Sequence, residues 1–260
     1  MPIKQELIKI HNEVSAYLWA LLKKDKPDNK FIIFSQFRTG SHLLTNLLNC
    51  HPNVFCAGEI FLNNLVRKKL FFPMLYIKGK MVRFEKHVYG FQLKSYHINK
   101  LHFIFDRKEF LTTLHKNGWK IIHLQRRNLL RQTISGMVAR QRQQWNTTKE
   151  KPFLKSKFLI DSKKLIKGIQ NRENLKLQEK EMLVQLPYCL EVIYEDELLN
   201  SEQHQKTADR VFEYLGVDSV PVKTTLIKAS SDKLSDMIEN YEEVSSVISK
   251  TKYAKFLDDK

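Results

Sequence analysis

The chain predicts a parallel α/β sheet covered by helices on both faces. Short apolar runs recur along it, long stretches of helical periodicity separate them, and apolar residues are 42% of the 260, with aromatics at 11%, enough to fill one core. Residues 3–24 open with Ile3, Leu7, Ile10, Val14, Leu18 and Leu21 at helical spacing, an amphipathic helix broken by the lysines around Pro27. Phe31–Phe34 reads as a buried strand. After Gly40 the pattern turns helical through Leu43, Leu44, Leu47 and Leu48 and stops before His51-Pro52, and Val54–Ala57 is a second short strand. Further strands are expected over Val88–Leu93, Trp119–Gln125 and Tyr188–Tyr194. Helices are expected over Leu129–Gln143, Ser162–Leu186, Ser201–Leu215 and Lys233–Ile248. Residues 144–160, polar and basic with Pro152, read as a long surface loop.

This composition excludes wholesale disorder. The length sits at the upper end of what one core supports, so the chain divides into a helix and linker over 1–30 and one domain over 31–260. Ala16–Leu22 is too short and too close to Lys23, Lys24 and Lys26 to span a bilayer, and no small-residue cleavage site follows it. No integral membrane segment and no signal peptide are therefore expected. Cys50, Cys56 and Cys189 are odd in number and lack C-x-x-C spacing. That argues against a disulfide framework and a structural zinc site, and for a cytoplasmic location.

Charge points to an anionic ligand or partner. Lys and Arg number 44 against 28 Asp and Glu, a net +16. Residues 61–180 hold 28 basic and 7 acidic side chains, and residues 181–260 hold 9 and 16.

The sharpest local feature is the strand-turn-helix from Phe31 to Leu44, in which Arg38, Thr39, Gly40, Ser41 and His42 meet the start of a helix. Unpaired N–H groups and the positive end of the helix dipole converge there on a phosphate cradle. Gly40 would let the backbone approach an anion, Arg38 would supply a planar charged fork, and Ser41 a hydroxyl. The alternative is an ordinary turn with Ser41 as N-cap. A Walker loop is absent.

In the second feature a strand ends in Arg126 and Arg127, Asn128 suits an N-cap, Arg131 follows at the third helical position, and Ser135 lies one turn on. Cations at a helix N-terminus are unfavourable unless an anion sits among them, which suits half of a second phosphate site. The alternative is a solvated basic helix continuing through Arg140 and Arg142. Third, Glu59 is the only acid between Asp28 and Glu85 and follows a predicted strand, so it should lie near the cradle. It reads either as a proton acceptor or as an acid complementing a helix over 60–70.

Together these segments resemble PAPS-dependent sulfotransferases, which use 3′-phosphoadenosine 5′-phosphosulfate (PAPS). Ser35-Gln-Phe-Arg-Thr-Gly-Ser-His42 is similar to the family's 5′-phosphosulfate loop. Arg127 and Ser135 resemble its 3′-phosphate pair in R-N-x(6)-S, and Gly58-Glu59 the Gly-Glu that carries a catalytic base. Val192-Ile-Tyr-Glu-Asp-Glu-Leu198 resembles the segment whose Tyr lies at the adenine, here Tyr194. The stretch from Leu234 to Leu257 resembles NodH-like carbohydrate sulfotransferases. Gly90-Phe91-Gln92 stands where those chains often have Gly-Phe-Lys, leaving Lys94 as the nearest cation on the same strand face. Lys228 is taken in place of the family's C-terminal Arg-Lys-Gly, which has no clear counterpart.

The resemblance implies a P-loop-like three-layer sandwich with a central parallel sheet, and transfer of SO₃ from PAPS to an acceptor hydroxyl on a carbohydrate or glycolipid. It gives Arg38, Thr39, Gly40, Ser41 and His42 to the 5′-phosphosulfate, Arg127 and Ser135 to the 3′-phosphate, and Glu59 to the acceptor's proton. Lys94 or His42 would support the leaving phosphate. No metal and no nucleic-acid partner is implied. A P-loop nucleotide kinase and a basic nucleic-acid-binding domain are the alternatives, and whether residues 1–30 make a homo-oligomer contact stays open.

Overall fold

Phe31, Ile32, Ile33 and Phe34 are all fully buried, as a strand sandwiched on both faces must be. They form the middle of β1 (Asn29–Ser35), the central strand of the sheet in a computed structural model that describes residues 2–23, 27, 29–62, 70–84, 86–100, 107–143, 157–226 and 233–258. With β2 (Val54–Ala57), β3 (Val88–Lys94), β4 (Trp119–Gln125) and β5 (Leu190–Ile193) it makes a five-stranded sheet in the order β2-β3-β1-β4-β5. Every pairing is parallel. The predicted α/β class is the observed one.

Alternation along the strands assigns the two faces. Ile32 and Phe34, with Tyr89, Phe91, Trp119 and Ile121, pack against α1 (Pro2–Leu22), α3 (Pro73–Met81) and α5 (Arg107–Lys116). Phe31 and Ile33, with Val88, Ile122, Leu124 and Val192, pack against α2 (Ser41–Leu48) and α9 (His204–Leu215). A third cluster joins α6 (Leu129–Arg142), α7 (Ser162–Leu183), α10 (Tyr241–Ser249) and α11 (Lys255–Asp258) beside the sheet. Short helices α4 (Ser95–Lys100) and α8 (Tyr194–Glu197) follow directly from β3 and β5. From β1 the chain crosses to β2 on one side, while β4 lies on the other. The crevice past the carboxyl end of β1 is thus a topological switch point, where open α/β sheets bind ligands.

Three of the expected elements come out differently. The helix expected over Lys233–Ile248 is broken. Leu234–Asp236 is a 3-10 turn and Ile238 pairs with Phe158 in an isolated parallel bridge. Asn240 then holds Ile160 through both its backbone groups at 3.0 Å, and α10 starts only at Tyr241. The expected loop over 144–160 therefore ends in paired backbone at Phe158, its residues 144–156 lying outside the described ones. The last strand is trimmed to Leu190–Ile193, because Tyr194 already starts α8.

Candidate functional site

The β1–α2 turn is made by two left-handed residues, Arg38 at φ 66° and Gly40 at φ 91°. Positive φ is unusual for a side chain as large as arginine. Gly40 is the N-cap of α2 and no side chain caps the helix, so its first N–H groups face the crevice without one. Ser41 is the first helical residue rather than the cap. A Cβ on Gly40 would stand 2.6 Å from the Tyr194 ring, so the missing side chain makes room for Tyr194. The Thr39 hydroxyl is spent inside the turn, donating to the Gln36 carbonyl at 3.0 Å.

Beneath the turn lies Lys94, 1% exposed at the end of β3, donating to the hydroxyls of Ser35 (3.0 Å) and Ser41. Gln92, two residues earlier, reaches the Thr45 hydroxyl at 2.9 Å, so both side chains point from β3 toward α2, as the expected shared face requires. Burial pushes the Lys94 ammonium down to about 8, with Glu59 raising it and Arg38 lowering it further.

Glu59, its side chain only 10% exposed, faces two imidazoles. His97 Nε2 is 3.3 Å from Oε2 and His42 Nε2 is 3.9 Å from Oε1. His97 is fully buried and its Nδ1 accepts the Lys94 backbone N–H at 3.4 Å, which leaves the ring proton on Nε2, on the Glu59 side but not aligned for a hydrogen bond to the carboxylate. Burial pushes the Glu59 carboxyl up, but His97, Lys94 and His42 outweigh it, and the group sits below its ordinary value. His42, on the first turn of α2, is lowered by burial and by Lys94. The other reading of Glu59, as the start of a helix over 60–70, falls largely on residues 63–69, outside those described.

The second predicted half-site is assembled differently from the expected one. Arg38 Nε donates directly to Ser135 Oγ at 3.1 Å, tying the cradle to α6. Arg127 instead points outward, half-exposed, and makes a two-pronged pair with Asp196 of α8. Asn128 caps α6 by accepting from the Arg131 N–H at 2.8 Å, as expected. The anion expected among these arginines is in part the protein's own: Glu195 accepts the N–H groups of Arg127 (2.9 Å) and Asn128 (3.1 Å).

Arg126, adjacent in sequence, is the residue that turns inward. It is 8% exposed, donates to the Arg38 carbonyl at 3.3 Å and stacks 4.5 Å from the centre of the Tyr194 ring. Tyr194 is therefore packed between Gly40 and a guanidinium. Arg172 of α7 donates to the Phe37 carbonyl at 3.0 Å. Burial lowers Arg172 to about 10, with Arg126 and Arg38 adding to the effect, and burial and Arg126 lower Arg38. Lys94, Arg38, Arg126 and Arg172 thus crowd one end of the sheet. Neither Arg172 nor His97 carries a local sequence signal, since each acts through a partner far along the chain. Lys228 lies outside the described residues. Among the described residues no group of three His, Cys, Asp or Glu side chains is placed to hold a metal ion, and no helix is long and apolar enough to cross a membrane.

No protein-family model matches the chain, and no curated protein does. Among solved structures, a sulfotransferase from Alicyclobacillus acidocaldarius is similar over 90% of this chain and 95% of its own, with a TM-score of 0.50 and 11% identity. The sulfotransferase domain of the Synechococcus PCC 7002 olefin synthase is similar over 85% of each chain, with a TM-score of 0.43 and 18% identity. The first likeness is one of fold: the helix-covered parallel sheet is the α/β architecture of that sulfotransferase.

Proposed function

We propose that this chain is a sulfotransferase that moves a sulfuryl group from PAPS to a hydroxyl on a carbohydrate or glycolipid, as NodH-like enzymes do, with Glu59 as general base. The observation that carries the reading is the crowd of four partly desolvated cations at the switch point, which outnumber the three carboxylates among them, Glu59, Glu179 and Glu195. Like charges brought together away from water are costly unless an anion joins them. The donor set fits a phosphosulfate: an uncapped helix start, the Lys94 ammonium, the Ser41 hydroxyl and arginine forks. The likeness of fold to a sulfotransferase supports the same reading.

When bound, PAPS supplies the sulfuryl group and a phosphate leaving group. Arg38 and the first turn of α2 hold the 5′ end, and Lys94 stabilises charge gathering on the bridging oxygen. The His97 imidazole stands beside Glu59, and together with Lys94 and His42 it keeps that carboxylate ionised and ready to take the acceptor's proton. Arg127 and Ser135 take the 3′-phosphate, which requires Arg127 to exchange Asp196 for the ligand. Three free cysteines suit a reducing, cytoplasmic setting.

The test is a melting-temperature panel without added metal. Adenosine 3′,5′-bisphosphate should raise Tm by several degrees at about a hundredfold excess over Kd, the scale of ~2.7 kcal/mol of linkage. ATP with Mg²⁺ and duplex DNA should do far less. A larger shift with either of those would replace the reading with a nucleotide kinase or a nucleic-acid-binding domain.

A further inference from the structure

We propose that the outer face formed by α1 and α3 docks on an anionic lipid surface. α1 buries Ala16 and Ala20 completely and turns Ile10, Val14, Leu18, Leu21 and Leu22 outward, the last four 49%, 52%, 70% and 79% exposed. This stripe cannot be hidden by rolling the helix. A Cβ on Gly79 of α3 would sit 1.7 Å from the Ala16 carbonyl oxygen, so the two backbones are in direct contact and the rotation of α1 is fixed. Tyr17 meets the exposed Phe72 edge-on, at 5.9 Å between ring centres, and accepts its N–H at 3.3 Å. The apolar surface therefore continues from α1 onto Phe72.

Charge selects the occupant. Over residues 10–22 and 73–84 the only acid is Glu13, 8% exposed and hydrogen-bonded by the Tyr17 hydroxyl at 2.7 Å. The cations in those ranges are Lys78, Lys80 over Tyr76 at 5.2 Å and Arg83 over the Trp19 ring at 5.7 Å, and Lys23, just past α1, lies over the same Trp19 ring at 5.2 Å. A second copy of this face would bring these cations against their own kind with no acid to answer them. An anionic bilayer answers both features, taking the leucines and Trp19 at the acyl boundary and the cations at the headgroups. Because α1 is not apolar enough to cross a membrane, the docking is peripheral.

The inference is independent of the sulfotransferase reading and is read by vesicle flotation. Vesicles of phosphatidylcholine with ~30% phosphatidylglycerol should carry the protein at about 0.1 M salt and release it near 0.5 M, and phosphatidylcholine alone should carry at least roughly tenfold less. The double variant Leu18→Glu/Leu21→Glu should lower partitioning at least roughly tenfold. Lys80→Gln/Arg83→Gln should lower it roughly 25-fold, at about fivefold for each cation near the surface. Leu18, Leu21 and Arg83 are exposed and Lys80 is half-buried, and unchanged melting temperatures would verify that the variants fold. Three results would overturn the proposal: no binding to the anionic vesicles, equal binding to neutral ones, or binding indifferent to both variants. A dimer in sedimentation equilibrium that the leucine variant dissociates, without vesicle binding, would assign the face to a second copy instead.

Discussion

Lys94 and Glu59 titrate against each other, and the direction of each shift fixes the expected pH profile. Lys94 acts as a cation, so activity is lost as it deprotonates, and the alkaline limb of kcat/KM should fall near pH 8 rather than in the ordinary lysine range. Glu59 acts ionised, and its lowered value puts the acid limb below the usual glutamate range. Since the Glu59 charge raises Lys94, Glu59→Gln should cut turnover by roughly 10² to 10⁴ and also move the alkaline limb of the residual activity below pH 8. A limb that stays put would uncouple the two groups. His97→Gln keeps a donor near Glu59 and should retain much of the rate that His97→Leu loses; equal losses would make His97 a packing residue only. Arg127 poses a different question, because its guanidinium already holds a carboxylate. Arg127→Ala should weaken adenosine 3′,5′-bisphosphate by about 1.5 to 3 kcal/mol, the scale of a charge-assisted contact. An exposed ion pair is worth less, so Asp196→Asn should tighten binding by roughly two- to fivefold by releasing Arg127. Calorimetry on both variants checks the pair, and weaker binding by Asp196→Asn would take Arg127 out of the 3′-phosphate site.

Elements were legible where the period of the sequence was unmixed. Val54–Ala57 and Trp119–Gln125 are strands over the expected residues, and Ser41–Leu48 is the helix that Leu44, Leu47 and Leu48 announce. The stretch from Pro73 to Lys116 gave no helix on the page of the sequence, although it holds α3, α4 and α5. In α3 the reason is visible: Tyr76, Ile77, Gly79 and Met81 are all buried, so no apolar stripe stands out from a polar face, and Gly79 is a weak helix former. Gly79 is there for contact, and Gly79→Ala should cost at least ~2 kcal/mol by pushing α1 off the sheet layer, seen as a drop in Tm of about 5 °C. A neutral Gly79→Ala would mean that α1 shifts freely, and the docking face with it. At the site, the cradle and Glu59 were legible because a strand end, a glycine and a lone acid sit close together in sequence. The choice between Arg126 and Arg127 was not, since neighbouring residues past a strand end point to opposite sides and only Tyr194 and Asp196, nearly seventy residues on, decide which is held inside.

Charge on the whole molecule does work that no single contact does. The basic excess of residues 61–180 includes Lys94, Arg126 and Arg172 of the site, but most of it lies elsewhere, as on Lys163 and Lys164 at the exposed start of α7. Such distant charge adds little to affinity and much to the rate of encounter with a multiply charged donor. The screening length is about 30 Å at 0.01 M salt and about 8 Å at 0.15 M, so distant cations are felt in the first condition and lost in the second. The association rate of adenosine 3′,5′-bisphosphate should therefore fall at least roughly tenfold between those salts, while dissociation, set by contacts inside the crevice, changes far less. Lys163→Glu/Lys164→Glu reverses distant charge without touching the cradle. It should slow association at low salt, leave dissociation as it was, and become indistinguishable from the unmodified chain at 0.15 M. Stopped-flow binding on both chains reads all three. An association rate flat in salt, or a variant altered in dissociation instead, would mean that the ligand feels only the groups it touches and that the +16 of the chain serves another partner.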